Sequence, residues 1–94
     1  MDNYKIILSS HAINRLFARG IDPSLTEVAL SNGSIINTYP EDKPYPSRLI
    51  LYFHDNQPIH IVAADDNDNK LTYIITVYIP DPARWNSDFT KRRL

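Results

Sequence analysis

Four runs of β-branched and aromatic residues in the second part of this 94-residue chain limit it to folds built on a sheet. The runs read SIINTY, SRLILYFH, PIHIVAA and LTYIITVYI. The polar segments DNQ and DDNDNK connect the last three runs, and short connections of this kind are typical of hairpins. The segment PEDKPYP connects the first two, and its prolines predict a stiff, extended loop because proline cannot donate ladder hydrogen bonds. The sequence therefore predicts a four-stranded antiparallel meander.

The stretch SSHAINRLFARG, before these runs, predicts a first helix. Ser9 or Ser10 is suited to cap its beginning, and Gly20 is suited to end it. Apolar residues at the i, i+3 and i+4 positions predict a core-facing side. That side consists of Ile13, Leu16 and Phe17.

A second helix is predicted between Asp22 as N-cap, with Pro23 at the first helical position, and an end at Asn32 and Gly33. Its expected core-facing residues are Leu25, Val28 and Ala29. Residues 4–8 are compatible with a short first strand, and Asp81 with Pro82 can begin a helical turn near the C-terminus. We therefore predict one α+β domain over residues 1–94. In it two N-terminal helices pack on one face of a four-stranded antiparallel sheet, and a short C-terminal helical turn follows.

The composition excludes several classes of function. The chain has no cysteine, which removes disulfides and thiolate metal sites and fits a reducing cytosol. No apolar run approaches the length of a membrane span or a signal-peptide core, so we expect a soluble, cytoplasmic protein without membrane contact. A formal net charge of −1 argues against bulk electrostatic binding of nucleic acid, so any RNA contact must come from local patches.

Metal and cofactor sites are not expected either. The turn DDNDNK has the alternating oxygen ligands of a calcium loop, but Lys70 stands where glycine is required, and no glutamate follows at the position of the bidentate ligand. With Gly20 and Gly33 as its only glycines, the chain has no phosphate-binding loop or dinucleotide fingerprint. We therefore predict no cofactor and no metal.

His11, Arg15 and Arg19 form a polar stripe on the first helix, because residues four apart differ by only about 40° around a helix axis. Two arginines at this spacing repel each other mildly, so an anion is expected to meet them. One interpretation is a carboxylate of this chain or of a partner protein. The other is a phosphate, whose oxygens a guanidinium contacts in pairs.

A second candidate site lies on the predicted sheet. Strand alternation puts Ile59, Ile61 and Ala63 on one face and His60 on the other. We expect the His60 face to combine hydrogen-bonding groups with an apolar surface, as binding sites do. This set consists of Arg48, Tyr52, His60, Thr76 and Tyr78. The alternative is a buried histidine whose ring is satisfied by a tyrosine hydroxyl.

Most of the chain, from about residue 9 to 93, resembles a small bacterial family, the domain of unknown function 4258. The pieces that carry the resemblance are His11 with Arg15, Arg19 and Gly20, then Pro58-x-His60, and Thr76-x-Tyr78 followed by Pro80 and Trp85. This family is similar to the RelE and BrnT toxins. The resemblance implies a RelE-like fold, a toxin-type endoribonuclease, and a cognate antitoxin protein that can be of the zinc-finger YgiT kind.

On this interpretation His11 or His60 acts as general base or acid, and Tyr78 is a second proton-transfer or orienting group. Arg15, Arg19 and Arg48 hold the phosphate, and Tyr52 and Thr76 complete the RNA contacts. The hypothesis requires these groups to converge around one hollow of anion size. RNA and an antitoxin are the expected partners, and the oligomeric state stays open.

Two alternatives remain. In one, the chain is a non-catalytic interaction domain whose sheet face and TKRRL segment bind an acidic protein or a second copy of the chain. In the other, His60 and Tyr78 bond to each other within the core, where solvent does not reach them.

Overall fold

In the structure, a computed structural model that describes residues 4–94, all four β-branched runs form strands. In chain order the elements are β1 (Lys5–Leu8), α1 (Ser10–Ala18), α2 (Leu25–Asn32), β2 (Ser34–Tyr39), β3 (Ser47–His54), β4 (Gln57–Asp66) and β5 (Leu71–Tyr78). They build one five-stranded sheet with the strand order β1-β5-β4-β3-β2. Strands β2 to β5 form the expected antiparallel meander.

The prediction of a purely antiparallel, four-stranded sheet is wrong, because β1 joins the sheet as a fifth strand. It runs parallel to β5, with Lys5 opposite Leu71 and Leu8 opposite Ile74. A free edge of β5 would leave backbone N–H and C=O groups without partners, and the short apolar run of β1 satisfies them. The sheet is therefore mixed.

The predicted C-terminal helical turn is also wrong. The amides of Arg84 and Trp85 do bond to the carbonyl of Asp81, at 2.9 and 3.0 Å, but this turn does not continue as a helix. Instead Trp85 forms an antiparallel bridge with Arg92, and the amide of Asn86 donates to the carbonyl of Lys91. Residues 84–93 thus form a small hairpin, because hydrogen bonds across the hairpin take the place of further helical hydrogen bonds. We call this segment the basic hairpin.

Helix α1 begins and ends as expected. Oγ of Ser9 accepts a hydrogen bond from the amide of Ala12 at 3.0 Å, and Gly20 adopts the positive φ of 65° that follows many helix ends. Ala12 and Leu16 face the sheet and are buried. The prediction that Phe17 faces the core is wrong, because it lies about 100° around the axis from Leu16 and is 76 % exposed.

Helix α2 begins two residues later than expected. The carboxylate of Asp22 accepts from the amide of Ser24 at 2.9 Å, which holds residues 22–24 in a turn that precedes the helix. Ala29 is buried, but Val28 is 41 % exposed and does not belong to the core. The predicted helix end at Asn32 and Gly33 is confirmed.

One sheet face carries the core, and both helices pack on it. The buried cluster consists of Ala12, Leu16, Ala29, Ile50, Ile59, Ile61, Ala63, Ile74 and Val77. Residues directly opposite each other in a sheet point to the same side, so the pair Ile50 and Ile61 marks this as the helix face. The pairs of His60 with Leu51 and with Tyr78 mark the other face. We call the latter the His60 face.

Candidate functional site

A chain of hydrogen bonds on the His60 face links β5 to the basic hairpin. The ring of His60 is fully buried; its Nε2 lies 2.9 Å from the carbonyl oxygen of Phe89, and its Nδ1 lies 3.1 Å from the hydroxyl of Tyr78. A carbonyl oxygen only accepts, so Nε2 carries the proton and Nδ1 has a lone pair. The hydroxyl of Tyr78 therefore donates to His60, and its oxygen stays available as an acceptor.

The surroundings keep this imidazole neutral. Burial lowers the pKa of His60, and the hydrogen bond to Phe89 opposes that effect only in part. The indole of Trp85 packs edge-on against the imidazole, with ring centroids 4.4 Å apart. The basic hairpin thus closes His60 from solvent on one side, while Tyr78 covers it on the other.

Tyr78 lies between the buried ring and the surface. It is half-buried, and burial raises the pKa of its phenol, as does the neighbouring Tyr39. The guanidinium of Arg92 is near enough to the phenol to act in the opposite direction on that pKa. Arg92 is itself held over the indole of Trp85, 5.4 Å from the ring centroid. The phenol of Tyr78 thus lies within electrostatic range of a second phenol and a cation.

The basic hairpin adds positive charge next to Tyr78. Its exposed cationic side chains are Arg84, Lys91, Arg92 and Arg93. The amide of Arg93 donates to the carbonyl of Arg84 at 2.8 Å, which holds the two ends of the hairpin together. The surface beside Tyr78 therefore carries a net positive charge.

Arg48 and Tyr52 do not lie on this face. The register pairs Arg48 with Ala63 and Tyr52 with Ile59, so both side chains point to the helix face. The expectation that they share a face with His60 is wrong, because the register of β3 against β4 differs by one residue from the register that this grouping requires. Thr76 is opposite Val62 and does lie on the His60 face.

Arg48 has a partner within the chain. Its guanidinium forms an ion pair with the carboxylate of Asp65, and Oδ1 of Asp65 also accepts from the hydroxyl of Thr72 at 2.8 Å. The side chains of the ion pair are only 26 % and 21 % exposed. This geometry favours a structural role for Arg48, and its predicted contact with phosphate stays a prediction.

The stripe of His11, Arg15 and Arg19 is exposed, on the helix side of the sheet. The sheet therefore separates these groups from His60 and Tyr78, and the predicted convergence around one hollow is not observed. Among residues 4–94 no carboxylate lies within 4.0 Å of either arginine. The stripe is a separate cationic surface.

The residues that complete the His60 site were not predicted as members of it. The sequence predicts Arg92 only within the TKRRL segment, and Tyr39 only within a strand. Phe89 contributes its carbonyl oxygen, which every residue has, so no sequence signal identifies it. Tyr39 is opposite Ser47 on the His60 face, but this follows from the register between β2 and β3 and not from the alternation within either strand.

Among residues 4–94, no cluster of three or more His, Cys, Asp or Glu side chains is arranged to hold a metal ion. None of the helices in this range has the length and apolar character needed to cross a bilayer.

Comparison with known proteins identifies a family. A family model described as a domain of unknown function, DUF4258, matches residues 8–79. No curated protein and no solved structure matches the chain. The matched range includes His60 and Tyr78, whereas Trp85, Phe89 and Arg92 lie beyond it. The likeness to RelE and BrnT toxins stays a prediction.

Proposed function

This chain belongs to the DUF4258 family, and we propose that it acts on RNA as an endoribonuclease of the toxin kind, with Tyr78 at the reacting phosphate. The observation that carries the proposal is the directed hydrogen-bond chain from Tyr78 through His60 to the carbonyl of Phe89. A reactive hydroxyl bonded to a base that a third group orients is the arrangement of many hydrolytic sites. The resemblance to RelE and BrnT toxins points to the same substrate.

Tyr78 and His60 act together as the general base. The ribose 2′-hydroxyl gives its proton to the phenol oxygen of Tyr78, while Tyr78 passes its own proton to Nδ1 of His60. The 2′-oxygen forms a bond to phosphorus, the bond from phosphorus to the 5′-oxygen breaks, and water protonates the leaving oxygen. The products are a 2′,3′-cyclic phosphate and a 5′-hydroxyl. The carbonyl of Phe89 stabilises the imidazolium that forms.

Arg92 holds the phosphate in this proposal. Its guanidinium acts electrostatically on the phenol and stacks over Trp85, so it needs little reorganisation when charge develops on the phosphoryl oxygens. The proposed chemistry uses neither a metal ion nor a cofactor. A base of this kind contributes roughly 10²- to 10⁴-fold to a rate.

The cationic stripe is the surface we assign to the antitoxin. His11, Arg15 and Arg19 are exposed and suit an acidic segment of a partner protein, such as an antitoxin of the zinc-finger YgiT kind. The partner would bind on the helix side, and inhibition would follow from a segment that reaches round to the RNA surface.

The decisive experiment measures cleavage of a single-stranded RNA by the purified chain, with mass spectrometry of the fragment ends. We expect cyclic phosphate ends from the wild type and at least about 100-fold slower cleavage by Tyr78→Phe. Tyr52→Phe is the matched control, because it removes a phenol from the helix face and should cleave normally. Equal rates for wild type and Tyr78→Phe, or no cleavage at all, would rule out the proposal.

A second candidate function is a non-catalytic interaction domain. It is favoured by the complete burial of His60, whose two ring nitrogens both have partners within the chain. In that case the basic hairpin binds an acidic protein and His60 only anchors the hairpin. A stable complex with a defined stoichiometry, together with intact RNA in the cleavage assay, would favour this candidate.

A further inference from the structure

The His60 face also carries a concave feature, which we call the aromatic groove. It has a volume of about 460 Å³, within the range of small-molecule sites. Its apolar part consists of Tyr45, Val62, Ala64, Tyr73 and Ile75. Tyr45 and Tyr73 stack nearly parallel, with a 5° angle and ring centroids 5.7 Å apart. The groove thus offers a flat apolar floor beside an aromatic wall.

The groove continues the surface that contains Tyr78. Val62 and Ala64 follow His60 at alternate positions of β4, so all three point to the same side. At about 3.3 Å per residue, Ala64 lies roughly 13 Å from His60 along the strand. A single strand of RNA whose phosphate lies at Tyr78 would therefore carry a neighbouring nucleotide over the groove.

The rim of the groove is polar and holds both signs of charge. The hydroxyl of Ser47 donates to Oδ2 of Asp42 at 2.5 Å, which orients the carboxylate and leaves Oδ1 and the second lone pair of Oδ2 to accept from a ligand. Lys43 is exposed at the same rim. A ligand that fits has a flat ring, N–H donors for the carboxylate, and a negative group for the lysine.

We propose that the aromatic groove binds the base of a nucleotide adjacent to the cleaved phosphate, with a preference for guanine. The inference rests on the proposed action on RNA. Guanine offers two neighbouring N–H donors to one carboxylate, whereas uracil offers one. Stacking against an aromatic wall supplies affinity for any base, and the carboxylate supplies the selectivity.

The test is an NMR titration of the full chain with guanosine 5′-monophosphate and, separately, with uridine 5′-monophosphate. We expect the guanosine nucleotide to bind more tightly and to shift the signals of Val62, Tyr73 and Ile75. Asp42→Asn should weaken its binding about tenfold, because a hydrogen bond to a charged group is lost. Glu41→Gln is the matched control, since it makes the same charge change at an exposed neighbour and should leave binding unchanged.

A second variant and a second ligand complete the test. Ile75→Trp fills the groove from a side chain that is already 44 % exposed, and it should abolish the shifts without unfolding the chain. Equal affinity for the two nucleotides, or unchanged binding by Asp42→Asn, would overturn the inference. The inference would also be overturned if a leucine-rich peptide bound in the groove and neither nucleotide did.

The outcomes separate this inference from the proposed function. Guanosine binding in the groove without RNA cleavage would retain the groove as a nucleotide site and remove the nuclease. Cleavage without guanosine binding would retain the nuclease and remove the groove. In an active enzyme, Asp42→Asn should reduce the preference for cleavage beside guanine, and Glu41→Gln should not.

Discussion

Tyr78 and His60 lie directly opposite each other on β5 and β4, and the tyrosine hydroxyl donates to the histidine ring at 3.1 Å. The pairing fixes both side chains on one face, and the carbonyl of Phe89 fixes the direction of the proton. Sheet register therefore determines the chemistry available here. The register between β3 and β4 likewise places Arg48 and Tyr52 on the opposite face.

His60→Gln tests the role of the histidine as acceptor. The glutamine amide can still donate to the carbonyl of Phe89 and its oxygen can accept from the hydroxyl of Tyr78, but that oxygen is not basic enough to take the proton. We expect cleavage to fall at least about 100-fold. Stability should fall by about 1–3 kcal/mol, because the amide cannot place both polar atoms where the ring nitrogens lie and loses the packing of the imidazole against Trp85. Denaturant unfolding beside the RNA assay measures both, and normal cleavage by a folded variant would exclude the relay.

The stability of the chain should depend on pH through His60. Burial lowers the pKa of His60 in the folded state, whereas the unfolded value is about 6.5. Between the two values the unfolded chain binds more protons, so the free energy of unfolding decreases as pH falls below about 6.5. Urea unfolding at pH 7.5 and 5.5 measures this decrease. In His60→Gln the decrease should be smaller; an identical decrease would show that it does not come from His60.

Arg48→Ala should affect stability and leave RNA chemistry unchanged. Removal of the guanidinium leaves the partly buried carboxylate of Asp65 with only the hydroxyl of Thr72, and we expect a loss of about 1–2 kcal/mol. A double-mutant cycle with Asp65→Ala should give a coupling of about 1 kcal/mol. Slower RNA cleavage at full folding would instead support the phosphate contact predicted from the sequence.

The stripe of Arg15 and Arg19 should contribute to partner binding and not to cleavage. Because the sheet separates it from Tyr78, Arg15→Glu with Arg19→Glu should leave the cleavage rate of free RNA within about twofold of the wild type, in line with surface changes in general. The same variant should lose affinity for an acidic partner protein. A large loss of cleavage would show that RNA crosses the helix side.

The sequence predicts local structure well where one signal acts alone. Ser9 as a cap, Gly20 after α1 and the alternation around His60 are all read correctly, because each depends on near neighbours. The partner of β1 could not be read, since parallel pairing with β5 depends on residues more than 60 positions away. Phe17 shows a further limit of prediction from apolar spacing. Only a narrow side of this nine-residue helix faces the sheet, and Phe17 lies outside that side although it is apolar.

Only part of the site can be predicted from the sequence, because the rest depends on contacts between residues far apart in the chain. His60 and Tyr78 were singled out as polar groups within apolar strands, and the structure brings them together. The grouping of Arg48 with them failed, because alternation within one strand does not set the register between two strands. The hairpin that supplies Phe89 and Arg92 has little periodicity, so its position over His60 depends on tertiary contacts.

Gly33 and Gly20 make a matched pair that tests how closely α2 approaches the sheet. A Cβ on Gly33 would lie 2.6 Å from the carbonyl oxygen of Ala29 and 2.6 Å from Cγ2 of Ile50, although its φ of −77° suits any residue. Gly33→Ala should therefore destabilise the chain by about 1–3 kcal/mol through overpacking alone. Gly20→Ala meets nothing within 4 Å but must adopt a φ of 65°, which costs about 1–2 kcal/mol. Ile50→Ala removes Cγ2, so in a double-mutant cycle it should relieve part of the cost of Gly33→Ala and none of the cost of Gly20→Ala, as unfolding midpoints would show. Equal coupling of Ile50→Ala to both variants would mean that α2 does not press on β3 at Gly33.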